Sequence, residues 1–134
     1  MVCVDTDFLI DLDRQNKDAL SKMKEFESEG ELVCTTVINA AEYYAGAFRS
    51  KGKNALERAQ SYLNDFALLV LDEQSAFLWG KLYNELKSNS IGERDLFIAS
   101  IVLSNKQTLI TKNVKHFERV PGLDIESWST THTQ

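Results

Sequence analysis

Residues 95–111 read DLFIASIVLSNKQTLIT, and the fold follows from them. Leu96 to Leu103, LFIASIVL, is apolar nearly all round, so a helix over these residues has no wet face and must be buried on several sides. A polar break leads into Thr108 to Thr111, a short strand. An enclosed helix beside a short apolar strand implies a parallel sheet covered on both faces.

The rest of the chain repeats this alternation. Val2 to Val4 is a buried strand closed by Asp5, Leu32 to Thr35 a second, Ala67 to Leu71 a third, and Leu123 to Ile125 a fifth after the turn at Pro121-Gly122. Leu20, Met23 and Phe26 stand at helical spacing within Asp18 to Glu29, and Gly30 ends that helix. Val37, Ala40, Ala41, Tyr44, Ala45 and Phe48 mark a helix stripe that precedes the polar loop Ser50 to Asn54. Leu56, Ala59, Tyr62, Leu63 and Phe66 mark another, and Ala76, Trp79, Tyr83 and Leu86 a further one that ends before Ser88-Asn89-Ser90. The expected fold is α/β, a central parallel sheet of about five strands flanked by helices. Internal repeats, low-complexity stretches and linkers are missing from the sequence, and 134 residues suffice for one ordinary domain.

Composition narrows the function. With 43% hydrophobic and 26% charged residues the chain reads as a globular protein. No apolar run approaches the roughly 20 residues that span a bilayer. The opening MVCVDTD lacks the basic and apolar regions of a secretory signal, so the expectation is a cytoplasmic protein with no membrane partner. Cys3 and Cys34 lie in strand-like runs and read as buried thiols. With His116 and His132 the only histidines, a Cys/His zinc cluster or a histidine triad has too few members. The net charge of −5 excludes a sequence-neutral nucleic-acid coat, which is usually basic. Two divalent cations, +4 together, would leave −1, so a metal-bridged nuclease stays open.

In doubly wound sheets ligands bind beyond the carboxyl ends of the strands. There the chain carries Asp5 and Asp7 after the first strand, Thr36 after the second, Asp72 after the third, and Thr111 and Asn113 after the fourth. Glu42 lies beside the apolar stripe of its helix and shares a face with Asn39, Gly46 and Arg49; taken alone it also reads as a solvated glutamate. Asp95 opens the enclosed helix, where a carboxylate is also favoured by the dipole alone. Glu93 and Arg94 read as surface charges. Converging carboxylates repel and raise one another's pKa, and a divalent cation removes that penalty. An oxygen-only ligand set selects Mg²⁺ or Mn²⁺ over Zn²⁺. Such ions act on phosphate esters, in pairs roughly 3.5–4 Å apart where two are used.

At these residues the sequence resembles the PIN-domain ribonucleases and, within them, the VapC toxins of prokaryotic VapBC toxin–antitoxin pairs. The resemblance rests on VCVDTDFLIDL, TTVINAAEYYAG, IGERDLFIAS and TLITKNVKHFERVPGLDIESW, in this order across nearly the whole chain. It implies one PIN-like nuclease domain over residues 1–128 and a three-layer fold; the tail at 129–134, STTHTQ, is expected to fray on its own reading. It further implies that Asp5, Glu42 and Asp95 are catalytic and hold Mg²⁺ or Mn²⁺. Asn113 would support metal or water from the edge, Thr36 and Asn39 would orient Asp5 or a substrate phosphate, and Thr6 and Thr111 would brace the strand ends. Asp7 stands where Ser or Asn is more usual, and either adds a ligand or caps the helix that follows. Asn39 stands where Thr is common. The implied substrate is RNA, the implied partners a VapB-type antitoxin and a second copy in a homodimer. Within the same likeness His116, Phe117 and Arg119 read as structural, and Tyr43, Tyr44 and Phe48 as part of a dimer face, with core packing an equal reading for Tyr44 and Phe48.

Three rivals share some of these residues. A receiver-like phosphoacceptor domain would use Asp5, Asp7, Asp72 and Lys112 but has no use for Glu42 or Asp95. A phosphatase of the haloacid dehalogenase type would explain Asp5-Thr6-Asp7, but expects Gly-Thr where Phe8-Leu9 stand. A catalytically silent PIN-like binding module would not require all three acids.

Overall fold

The computed structural model describes residues 1–128; the tail expected to fray, 129–134, lies outside the described residues. Among the described residues the sheet comprises β1 (Val2–Val4), β2 (Val33–Thr36), β3 (Ala67–Leu69), β4 (Thr108–Ile110) and β5 (Asp124–Glu126). All neighbours pair in parallel, in the order β3-β2-β1-β4-β5. The helices are α1 (Thr6–Asp13), α2 (Lys17–Ser28), α3 (Val37–Arg49), α4 (Ala55–Leu63), α5 (Glu73–Leu86), α6 (Glu93–Ser104) and α7 (Val114–Phe117). No helix among the described residues is long and apolar enough to cross a membrane.

The alternation of side chains along each strand divides the core into two layers. Val2, Val4 and Ile110 pack with Phe8, Leu9 and Leu12 of α1, Phe26 of α2, Tyr43 of α3 and Leu63 of α4. Cys3, Cys34 and Leu109 face the other way, onto Leu82 and Leu86 of α5, Leu96, Ala99 and Val102 of α6, and Phe117. The expected three-layer α/β arrangement is therefore the observed one. Cys3 and Cys34 stand opposite each other in register on β1 and β2, free and fully buried.

The enclosed LFIASIVL helix forms as expected, with Leu96, Ile98, Ala99, Ser100, Ile101 and Val102 buried. Its amino end is fixed by α5: Trp79 stacks between Tyr83 and Phe97, with centroids 4.9 and 4.8 Å away, and Trp79 Nε1 donates to the Glu93 carbonyl at 3.2 Å. Trp128 closes the opposite layer edge-on against Phe8, centroids 5.1 Å apart, and donates through Nε1 to Asp11.

Two expectations need correction. The α3 stripe does not run through Ala41, Ala45 and Phe48, which are exposed; of the expected stripe Ala40 is buried, and Asn39 and Tyr43 join it. Thr36 caps α3 by accepting from the Asn39 amide, and Asn39 points its amide side chain into a polar network, which turns the buried face. Alanines are tolerated on either side of a helix, so they misreported the stripe. Tyr43 thus belongs to the core and not to an exposed face. The second correction concerns Asp7: the cap of α1 is Asp5, and Asp7 sits exposed in the first turn.

Candidate active site

From β1 the chain moves outward to β2 and β3 on one side, while β4 and β5 lie on the other. The switch point therefore falls between β1 and β4, and a crevice opens beyond their carboxyl ends. Asp5 is the first residue past β1. Its amide donates to the Ile110 carbonyl at 3.1 Å, and its Oδ1 accepts from the Phe8 amide at 3.2 Å. One residue thereby ends the strand and starts α1. Asp5 is 8% exposed. Burial pushes its carboxyl up to about 7; hydrogen bonds from Thr111 and the Phe8 amide oppose this, and the Asp7 charge adds to it.

Glu42 reaches the same crevice from α3 through a chain of side-chain hydrogen bonds. Thr36 Oγ1 donates to Asn39 Oδ1 at 2.7 Å, Asn39 Nδ2 donates to Thr6 Oγ1 at 3.0 Å, and Thr6 Oγ1 donates to Glu42 Oε1 at 2.6 Å. A buried threonine at the end of β2 thus orients a carboxylate on the next helix. Thr36 and Thr111 are fully buried behind the crevice; the Thr111 hydroxyl accepts from the Asn113 amide at 3.0 Å.

Asp95 enters from the first turn of α6, which Gly92 opens at φ +92, a conformation open to glycine. His116 Nε2 lies 2.9 Å from Asp95 Oδ2, and since a carboxylate can only accept, Nε2 donates. Arg94 Nε lies 2.9 Å from Glu42 Oε2 and 3.8 Å from Asp95 Oδ1. Together these groups line one cavity of about 200 Å³, walled by Asp5, Glu42, Asp95, Thr6, Asp7, Asn39 and Asn113, with Arg94 at its side and Ile98 and Phe117 as apolar lining.

Sequence reasoning missed two participants. Arg94 is no free surface charge but spans Glu42 and Asp95, and His116 is no mere edge residue but holds Asp95. Arg94 is adjacent to Asp95 in sequence, yet nothing in the spacing says that its exposed side chain reaches across to Glu42. His116 could only be found by its distance across the fold. The residues on which a receiver reading depends do not assemble. Asp72 caps α5 through Ser75, and Lys112 Nζ donates to Asp11 Oδ2 at 2.8 Å; neither lines the cavity.

The donor set fits a hard divalent cation in its chemistry: every acidic ligand offers oxygen, and buried Asp5 forms no ion pair among the described residues. It is not drawn together into a finished cage. Among the described residues no three His, Cys, Asp or Glu side chains stand close enough to hold a metal ion as they are, Glu42 and Asp95 being tied to Arg94 and His116.

Comparison with known proteins places the chain in a family. The PIN domain family model matches residues 2–123. The chain is similar to a protein named Ribonuclease VapC1 from Haemophilus influenzae, 31% identical over 129 residues, 94% of this chain and 96% of the relative. It is also similar to Ribonuclease VapC2 of Rickettsia felis, 27% identical over 128 residues, 93% of this chain and 96% of the relative. Its fold superposes on a chain of the Rickettsia felis VapBC2 complex bound to a promoter DNA fragment, with a TM-score of 0.85 and 25% identity, covering 96% of this chain and all of that one. A family match over almost the whole length, three acids on one crevice and a superimposable sheet lead to one conclusion: this chain belongs to the PIN domain family.

Proposed function

We propose that this protein is an Mg²⁺- or Mn²⁺-dependent endoribonuclease, the toxin of a type II toxin–antitoxin pair, acting in the cytoplasm. The observation that carries the reading is the meeting of Asp5, Glu42 and Asp95, from three distant stretches of chain, on one cavity at the sheet's switch point. Its relatives of matching length are named ribonucleases.

In this reading Asp5, Glu42 and Asp95 hold the ion and Asn113 supports it from the edge. When bound, such an ion would supply Lewis acidity toward water and the phosphodiester. The protein's own groups do the positioning. Thr6, braced by Asn39 and Thr36, fixes the Glu42 rotamer, and His116 fixes Asp95. Arg94, its side chain 67% exposed, sits where an incoming phosphate meets the acids. A VapB-type antitoxin as partner is supported by the VapBC complex on which the fold superposes, and homodimerisation follows from the family likeness.

The test is cleavage of structured RNA by the purified chain with Mn²⁺ or with EDTA, alongside Asp5→Asn and Asp95→Asn. Cleavage is expected only with metal, and each variant is expected to lose at least about 100-fold, as removal of a group that stabilises transition-state charge does. Cutting that survives EDTA, or that both variants retain, sinks the reading. Failure of the unaltered chain to cut any RNA favours a silent binding module.

A further inference from the structure

A second cavity, about 540 Å³, adjoins the acid pocket and shares Thr6 and Glu42 with it. It lies among α1, α3 and α4, and its charged lining is mixed, three arginines beside Asp13 and Glu42, where the acid pocket sets four carboxylates beside Arg94. Arg14 at the end of α1, Arg49 at the end of α3 and Arg58 on α4 all line it. The whole chain has five arginines at a net charge of −5, so the gathering of three on one groove, with Arg94 joined to Glu42 at its junction, is no reflection of average composition. Arg58 is engaged, Nε pairing with Asp13 at 3.0 Å and Nη1 donating to the Lys53 carbonyl at 2.7 Å. Arg14 and Arg49 form no ion pair among the described residues. Among the described residues the buried Tyr43 hydroxyl in the same wall has no hydrogen-bond partner of normal geometry.

Guanidinium groups match phosphate oxygens in a planar, bidentate fork. A nucleic-acid strand whose scissile phosphate enters the acid pocket must carry its neighbouring phosphates to one side, and this groove lies directly beside the pocket, the two sharing Thr6 and Glu42 as lining. We infer that the groove is the track for the single-stranded RNA beside the cut, with Arg14 and Arg49 binding its backbone phosphates. The inference rests on the ribonuclease reading and adds where the substrate strand lies. An acidic peptide would also satisfy arginines, so binding of such a peptide in place of RNA is an outcome that the test reads.

The test measures binding of a fluorescent single-stranded RNA in Mg²⁺ across a salt series. All proteins carry Asp5→Asn, so the strand stays whole. Against that background, Arg14→Ala with Arg49→Ala is expected to bind about 30-fold more weakly, with the salt slope smaller by about 1.4, since each single-strand phosphate contact contributes about 0.7. Arg14→Lys with Arg49→Lys is expected to keep the slope and lose about three-fold in affinity, as charge without the fork would. The lysine pair carries the test if circular dichroism shows the alanine pair unfolded. Unchanged RNA affinity and slope in the alanine pair, or a loss confined to an acidic peptide, overturns the assignment. RNA cleavage by the unaltered chain is read separately and bears on the nuclease reading alone.

Discussion

The two walls of the acid pocket are built on different principles. On the strand side Asp5 is set by backbone: its amide continues the sheet ladder and its carboxyl caps α1, so its position is as rigid as the core beneath it. On the helix side Glu42 and Asp95 are half-exposed, and side chains, namely Thr6, Arg94 and His116, set their positions. Backbone placement costs solvation, which appears as the raised Asp5 pKa; side-chain placement keeps the acids wet and adjustable. One wall is a fixed post and the other a movable jaw.

The largest effect should come from relieving the post. The native carboxyl keeps its proton up to about pH 7, whereas an unfolded aspartate releases it near 4. Between those values the folded state binds more protons, so stability of the metal-free protein falls as pH rises from about 4 to 7 and levels off above, by at most about 4 kcal/mol. Asp5→Asn keeps the capping oxygen and loses the charge; calorimetry without metal at pH 8 should show a gain of about 2 kcal/mol and a flattened pH profile. A melting temperature that drops in this variant would mean that the carboxylate is not strained.

On the jaw, Thr6→Val removes the hydroxyl that joins Asn39 to Glu42 while α1 keeps its cap. RNA cleavage should fall about 30-fold, within the range for loss of a group that orients a ligand. His116→Ala should weaken Mn²⁺ binding, read by electron paramagnetic resonance, about ten-fold, and His116→Gln should restore most of it through its amide donor. Arg94→Ala should do the reverse and least: with an exposed competing cation gone from Glu42, Mn²⁺ binding should tighten about two- to three-fold. Equal effects of all three on protein stability, with none on metal affinity, would erase the distinction between the walls.

The fold was legible because its strongest signals are properties of whole segments. An enclosed helix such as Leu96–Leu103 and apolar strands such as Val2–Val4 admit few architectures, and polar residues at strand ends fall on one edge in all of them. What escaped was whatever depends on rotation or on reach. The α3 face turned because one buried amide, Asn39, outweighed Ala41, Ala45 and Phe48. The eight residues of α1 and the four of α7 are too short for hydrophobic spacing to delimit. Asp5, Glu42 and Asp95 were named from family likeness as much as from position, because a glutamate beside an apolar stripe is ordinary. Arg94 and His116 matter through contacts of 2.9 Å across the fold, which no local pattern encodes.

The thiols in the middle of the sheet give the molecule an internal gauge. Cys3 lies two residues from Asp5 on the same strand and faces Cys34 across the β1–β2 ladder, both shielded completely from solvent. A thiol reacts with an alkylating reagent only when solvent reaches it as thiolate. Alkylation of this chain therefore has to wait for the central strands to part, and its rate clocks how often the floor of the pocket comes apart.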